Sequence, residues 1–139
     1  MTDAAEIPGF PAPDDSPLWK PFWDATGEGQ LVFMRCTRCG NAFLPAREEC
    51  PNCLSPGPQW ERASGGARLI SWVVYHRAPD AAFQGRVPYT AAIVELDEGP
   101  RMITNIVGAQ DPEALQIEQR LSLRIEQEDG VAVPRFVPA

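Results

Sequence analysis

The residues able to do chemistry are concentrated in one stretch of this sequence. Cys36-Thr37-Arg38-Cys39-Gly40 is followed, after a link of ten residues, by Cys50-Pro51-Asn52-Cys53, and these two Cys-x-x-Cys knuckles hold all four cysteines of the chain. Each knuckle supplies two sulfurs and the link between them can fold back as a hairpin, so the spacing matches a tetrahedral site of four thiolates. A closed shell of protein ligands leaves no position for water, which makes the expected metal a structural clip and not a catalytic centre. Zinc is the favoured ion; iron in a rubredoxin-like centre, which the same sulfur geometry permits, is the alternative. A pair of disulfides is a third arrangement, disfavoured by the paired spacing and by the absence of a secretory pattern at the start of the sequence.

Outside the knuckles the candidates for chemistry are few. His76 is the only histidine, so with every cysteine committed to metal no cysteine–histidine pair is available. Ser64 and Ser71 lack an activating motif, and Gly65-Gly66 is too short for a phosphate-binding loop. The chain therefore does not read as an enzyme in its own right. What remains is a set suited to holding a ligand: Arg68, Arg77, Arg86 and Arg101 as cations for a phosphorylated group, Phe83 and Tyr89 as surfaces for a flat ring, and His76 between them. A solvated loop with a satisfied histidine is the plainer reading of the same residues.

These side chains need elements to position them. Residues 1–17 are rich in proline, acid and small residues and carry too little apolar surface to offset the entropy of ordering, so a flexible tail is expected, with Phe10 its one candidate anchor. Leu18–Gly29 brings Trp19, Phe22 and Trp23 together; Pro21 suits a first helical turn and Gly27 and Gly29 suit a stop, which predicts a short helix over about 21–28. That aromatic cluster must pack on the same chain or on a partner. Gln30–Arg35 enters the first knuckle as a strand and Asn41–Pro45 leaves it, the hairpin of a zinc ribbon, in which metal binding substitutes for a core that so short a segment cannot build. Arg35, Arg38 and Arg47 surround it, either balancing thiolate charge or recognising an anion. Trp60–Ala63 crosses to the next module.

Beyond the Ser64-Gly65-Gly66 joint the hydrophobic period becomes two. Strands are expected over 67–77, 87–96, 101–107, 121–126 and 131–137, with Asp97–Pro100 and Glu128–Gly130 as turns and a short helix opening at Asp111-Pro112 and running to about Ile117. Three strands, a helix and two strands is the order of the OB-fold, whose first interstrand loop borders the ligand face. The expected architecture is mainly β: a tail over 1–17, a helix and four-cysteine ribbon over 18–63, and a five-stranded OB barrel over 64–139.

The charge distribution narrows the function classes. The chain carries a formal charge of −7, and residues 1–29 hold six acids against Lys20 alone. Nucleic-acid binding needs a basic surface to neutralise phosphates, so this balance counts against a single-stranded nucleic-acid-binding module, the second reading that a barrel with a ribbon invites. With no apolar run long enough to cross a bilayer, a soluble cytoplasmic protein is expected.

The ordered combination of Cys36-x-x-Cys39-Gly40, Cys50-x-x-Cys53, Pro88-Tyr89-x-x-Ala92-Ile93-Val94-Glu95-Leu96-Asp97-Glu98-Gly99 and Thr104-Asn105-Ile106-Val107-Gly108 resembles the rubredoxin-like zinc-ribbon/OB-fold proteins associated with acyl-CoA metabolism, long catalogued as a domain of unknown function. The resemblance covers about residues 18–137 and departs at Ile117-Glu118-Gln119, where a glycine is expected at Glu118. It implies a non-catalytic accessory subunit that binds CoA or acyl-CoA and scaffolds a thiolase-superfamily partner such as a thiolase, synthase or aldolase. On that reading Trp19, Phe22 and Trp23 face the partner, and the 77–89 loop, with Arg68, His76, Arg77, Phe83, Arg86 and Tyr89, cradles the nucleotide end of CoA.

Overall fold

Turn residues punctuate the chain where the hydrophobic pattern changes. The fold is seen in a computed structural model that describes residues 11–109 and 111–139, so part of the expected tail, Phe10 included, lies outside the described residues. Helix α1 spans Lys20–Gly27, with Pro21 in its first turn. The amides of Glu28 and Gly29 bond back to Ala25 and Thr26, and Gly29 at φ +84° ends the helix. Its buried residues, Phe22 and Thr26, are one helical turn apart on one face.

The ribbon follows as three short strands, β1 (Val32–Arg35), β2 (Ala42–Phe43) and β3 (Gln59–Arg62), in the order β2-β1-β3. The barrel comprises β4 (Gly66–Tyr75), β5 (Tyr89–Leu96), β6 (Arg101–Ile106), β7 (Arg120–Glu128) and β8 (Val131–Pro138), closed in the order β4-β5-β6-β8-β7. Every pairing is antiparallel except β6 with β8, which run parallel where Ile106 meets Phe136. Closure, strand count and order are those of the OB-fold. Alternation does the sorting: Thr90, Ala92, Val94 and Leu96 of β5 turn inward while Ile93 stays 38% exposed. A register shift between Leu69 and Ser71 changes which residues of β4 face in. The backbone of Glu118 and Gln119 clasps that point, donating to and accepting from Leu69 at 2.6 and 2.9 Å.

Two connections differ from expectation. The helix expected from Asp111 to about Ile117 is a 3-10 turn over Pro112–Ala114, capped by Asp111, whose carboxylate accepts from the Glu113 amide at 2.9 Å. Leu115 is extended at ψ 145° and only 6% exposed, because burying its side chain in the core draws the backbone off a helical path. The long connection after β4 is not a bare loop: Ala81–Arg86 forms a 3-10 turn in which the Asp80 carboxylate accepts from the Ala82 amide.

One hydrophobic cluster runs through ribbon and barrel together. Phe22, Leu31, Phe33 and Ala63 pack in the same group as Leu69, Val94, Leu96, Leu121 and Phe136. A smaller cluster of Met34, Cys36, Phe43, Ala46 and Cys50 lies beneath the knuckles.

Candidate functional site

The hairpin brings the four cysteines into one group. Their sulfurs all lie within 4.8 Å of one another, and the cross-knuckle pairs Cys36–Cys53 and Cys39–Cys50 are each 3.6 Å apart. A tetrahedron with metal–sulfur bonds of about 2.3 Å places its sulfurs about 3.8 Å apart, whereas a disulfide would need about 2 Å. The surroundings favour thiolate at Cys50 and Cys53, while burial and the neighbouring Cys53 and Cys50 push the Cys39 thiol up. Amides of Arg38 and Cys39 point at Cys36 Sγ at 3.4 Å, the Asn52 amide at Cys50 Sγ at 3.3 Å, and the Asn52 side-chain amide at Cys39 Sγ at 3.6 Å. Hydrogen bonds from the Ser55 side chain and backbone hold the Cys53 thiol down to about 6, well below the usual thiol range. Arg35 braces the first knuckle by donating to Gly40 O at 2.9 Å while pairing with Glu61. The donor set and its spacing fit a closed, structural four-sulfur metal site.

The candidate ligand residues separate into two groups. Phe83, Arg86 and Tyr89 line a groove of about 470 Å³ whose other walls include Asn105, Gly108, Glu126, Glu128 and Arg135. Tyr89 stacks on Tyr75 with centroids 5.1 Å apart, and Phe83 leans on Tyr89 at 5.9 Å; burial pushes the Tyr89 phenol up. Arg68 lies at the far end of β4, held by Glu95 at 2.7 Å and by Glu118, and Arg101 reaches the same Glu95 at 3.1 Å. His76 and Arg77 are exposed just past the end of β4.

Residues missed in the sequence form the floor of this first groove. Arg135, on the outer side of β8 yet only 8% exposed, donates to Glu126 and Glu128 at 2.8 Å, and Arg86 donates to Glu128 at 2.7 Å. Arg86 first, and then Arg135, hold the Glu128 carboxyl below the usual carboxylate range. Two guanidinium and two carboxylate groups cancel, so the floor is polar without net charge. The available signal was the alternation of Arg124, Glu126 and Glu128 along β7 opposite Arg135, which reads as an ordinary solvated face until β8 pairs with it.

A second groove, about 480 Å³, runs between α1 and the outer face of β6. Trp19 and Trp23 line it with Leu44, Met102 and Ile103, and Ile103 is 78% exposed. Phe22 shares this wall but is 4% exposed, with Trp19 and Trp23 packed edge-on against it at 5.4 and 5.1 Å. It fixes the two tryptophans in place and spends its own surface in the core.

Comparison with known proteins identifies both parts. Residues 23–59 match the family model described as the rubredoxin-like zinc ribbon domain of ChsH2, and residues 60–126 match that of its C-terminal OB-fold domain. A protein of Thermomonospora curvata named "Probable enoyl-CoA hydratase alpha subunit" is 35% identical over 120 residues, 85% of this chain and 37% of that relative, so the chain spans little more than a third of it. A "DUF35 domain-containing scaffold protein" of Methanothermobacter thermautotrophicus is 39% identical over 107 residues, covering 73% of this chain and 79% of that protein. The solved structure titled "Ltp2-ChsH2(DUF35) aldolase" superposes with a TM-score of 0.81 at 31% identity, over 91% of this chain and 98% of the matched one. A four-cysteine ribbon feeding a closed five-stranded barrel, matched in both halves, places the chain in the DUF35 family of zinc-ribbon and OB-fold proteins.

Proposed function

We propose that this protein is a non-catalytic accessory subunit that binds acyl-CoA and scaffolds a thiolase-superfamily enzyme, with structural zinc in its ribbon. The observation that carries this reading is the match, over nearly the whole of the related chain, to a structure whose title pairs a DUF35 protein with an aldolase.

The grooves supply what such a subunit needs. Trp19, Trp23 and Ile103 offer an apolar face continuous with exposed Ile93 and Val73 on the neighbouring strands, the composition that protein interfaces favour at their centres. The first groove offers aromatic walls and hydrogen-bonding groups for a nucleotide or its linked arm.

The test is co-expression with a thiolase-superfamily protein of the same genome. Co-elution at a defined stoichiometry, weakened at least tenfold by Trp23→Glu, together with retention of a CoA thioester, is the expected result. Separate elution of two folded proteins with no CoA compound retained would sink the proposal.

A further inference from the structure

The two grooves meet at Asn105. This residue points out from β6, and among the described residues it alone lines both. Its Nδ2 donates to Thr90 O at 3.1 Å, which fixes the amide and leaves the side-chain oxygen as an acceptor. A ligand lying across Asn105 would therefore meet a hydrogen-bond acceptor suited to an amide N–H.

The two grooves differ in polarity: Arg86, Glu126, Glu128 and Arg135 line the first, whereas the second is mostly apolar, with Arg101 at its edge. In the first groove Arg86 and Arg135 are spent on Glu126 and Glu128, so neither offers net charge to an anion. The next outward residue along β7 beyond Glu126 is Arg124, opposite Arg135 in the strand register. Gly108, which lines the groove at φ +74°, sits under it: a Cβ added there would lie 3.6 Å from Arg124 Nη1 and 3.3 Å from Val137 Cγ1. Arg124 is exposed and has no carboxylate partner among the described residues, unlike Arg68, Arg86, Arg101, Arg120 and Arg135. At the opposite end the second groove is walled by Trp19, Trp23 and Met102. A cation beside the Gly108 wall of the first groove, an amide acceptor where the grooves meet and an apolar slot in the second are thus available to one ligand.

We propose that the two grooves are one trough for a single extended ligand, its phosphate-bearing end at Arg124, its amide-containing middle at Asn105 and its apolar acyl end against Trp19 and Trp23. This rests on the acyl-CoA reading and adds a direction to it. The nucleotide is held on the β7–β8 side, Phe83 and Tyr89 offer faces to its ring, and the thioester emerges on the α1 side, where the partner enzyme is proposed to dock. The trough differs from the set read in the sequence, which assigned the phosphates to Arg68, Arg77, Arg86 and Arg101 and left out Arg124 and Asn105.

Titration of the purified, zinc-loaded full chain by tryptophan fluorescence and calorimetry tests the proposal. Acetyl-CoA, octanoyl-CoA and S-octanoyl-pantetheine, which lacks the nucleotide, are the probes. Affinity should rise from acetyl to octanoyl by up to about fourfold per methylene, with a tryptophan emission shift for octanoyl only. Arg124→Gln should weaken octanoyl-CoA roughly tenfold and leave S-octanoyl-pantetheine unchanged, while Arg124→Lys retains most of the affinity. Asn105→Ala should weaken both octanoyl ligands by about threefold to tenfold. Unchanged melting temperature and zinc content in the exposed Arg124 variants separate a binding defect from misfolding. Tight octanoyl-CoA binding that ignores both positions, or that is equal for acetyl and octanoyl, would overturn the trough while leaving acyl-CoA binding intact. If the wild-type chain binds none of the three, the acyl-CoA reading itself falls.

Discussion

Glu118 lies at φ +67°, in the left-handed region that side chains with a Cβ enter at a cost of about 1 kcal/mol or more. Its amide is committed to Leu69 O at the β4 register shift, so the backbone cannot relax elsewhere. Its side chain accepts from Arg68 Nη1 but is 66% exposed, and an ion pair so open to solvent is worth well under 1 kcal/mol. Glu118→Gly removes the strain, loses that pair and adds unfolded-state entropy. The balance should be a gain of up to about 1 kcal/mol, read as a higher urea midpoint with an unchanged slope; a clear loss would mean the Arg68 contact outweighs the backbone. At the metal site the balance is one-sided. Cys50 is fully buried and its sulfur takes an amide hydrogen bond, so Cys50→Ser removes a thiolate that nothing nearby replaces. The expected outcome is a chain without bound zinc and without an ordered ribbon, checked by metal analysis and hydrogen exchange over residues 32–62.

At the scale of elements, the Arg86–Glu128–Arg135–Glu126 group ties the 81–86 turn to β7 and β8. Because Arg86 and Arg135 lower the Glu128 pKa in the folded chain, its contribution to stability is complete above the ordinary glutamate value of about 4.3 and is lost as pH falls through the depressed folded value. Glu95 behaves alike beside Arg68 and Arg101. Urea midpoints should therefore be flat from pH 7 to about 5 and fall below about 4, and Glu128→Gln should flatten part of that fall. This group also shows where sequence legibility stops. Strands such as 121–126 were readable because Leu121, Leu123 and Ile125 alternate with polar neighbours, a period that backbone geometry imposes locally. The knuckles were readable because metal chemistry constrains residue type and spacing together. Arg135 was not, since its burial on an outward-facing position comes from the packing of another strand and a distant turn. The 111–117 segment had a capping residue and a proline in the right places. Its helix stopped short because Leu115 reaches a core that exists only once the barrel has closed.

Across the whole molecule, the shared hydrophobic cluster makes the ribbon and barrel energetically one body. Leu31 and Phe33 of the ribbon side are fully buried in the same group as Val94, Leu96 and Phe136. Stripping the metal unravels the hairpin that holds β1, and exposing each of those two side chains costs about 1.5 to 3 kcal/mol. For a chain of this size each kcal/mol corresponds to a few degrees in melting temperature. Chelation should therefore lower the barrel's own melting by on the order of 10 °C, seen by calorimetry as one shifted transition and by faster exchange of the β5 and β6 amides. Independent modules would behave otherwise, with the ribbon melting alone and the barrel unmoved. Phe22→Ala separates this coupling from metal loss as such. Removing a ring that is 4% exposed, and that touches Trp19, Trp23 and Trp60, leaves the cysteines intact. It should destabilise the barrel by about 3 to 5 kcal/mol at full zinc occupancy. A barrel that melts normally in that variant would show that α1 rides on the surface, and the proposed partner face would then be free to move relative to the ligand trough.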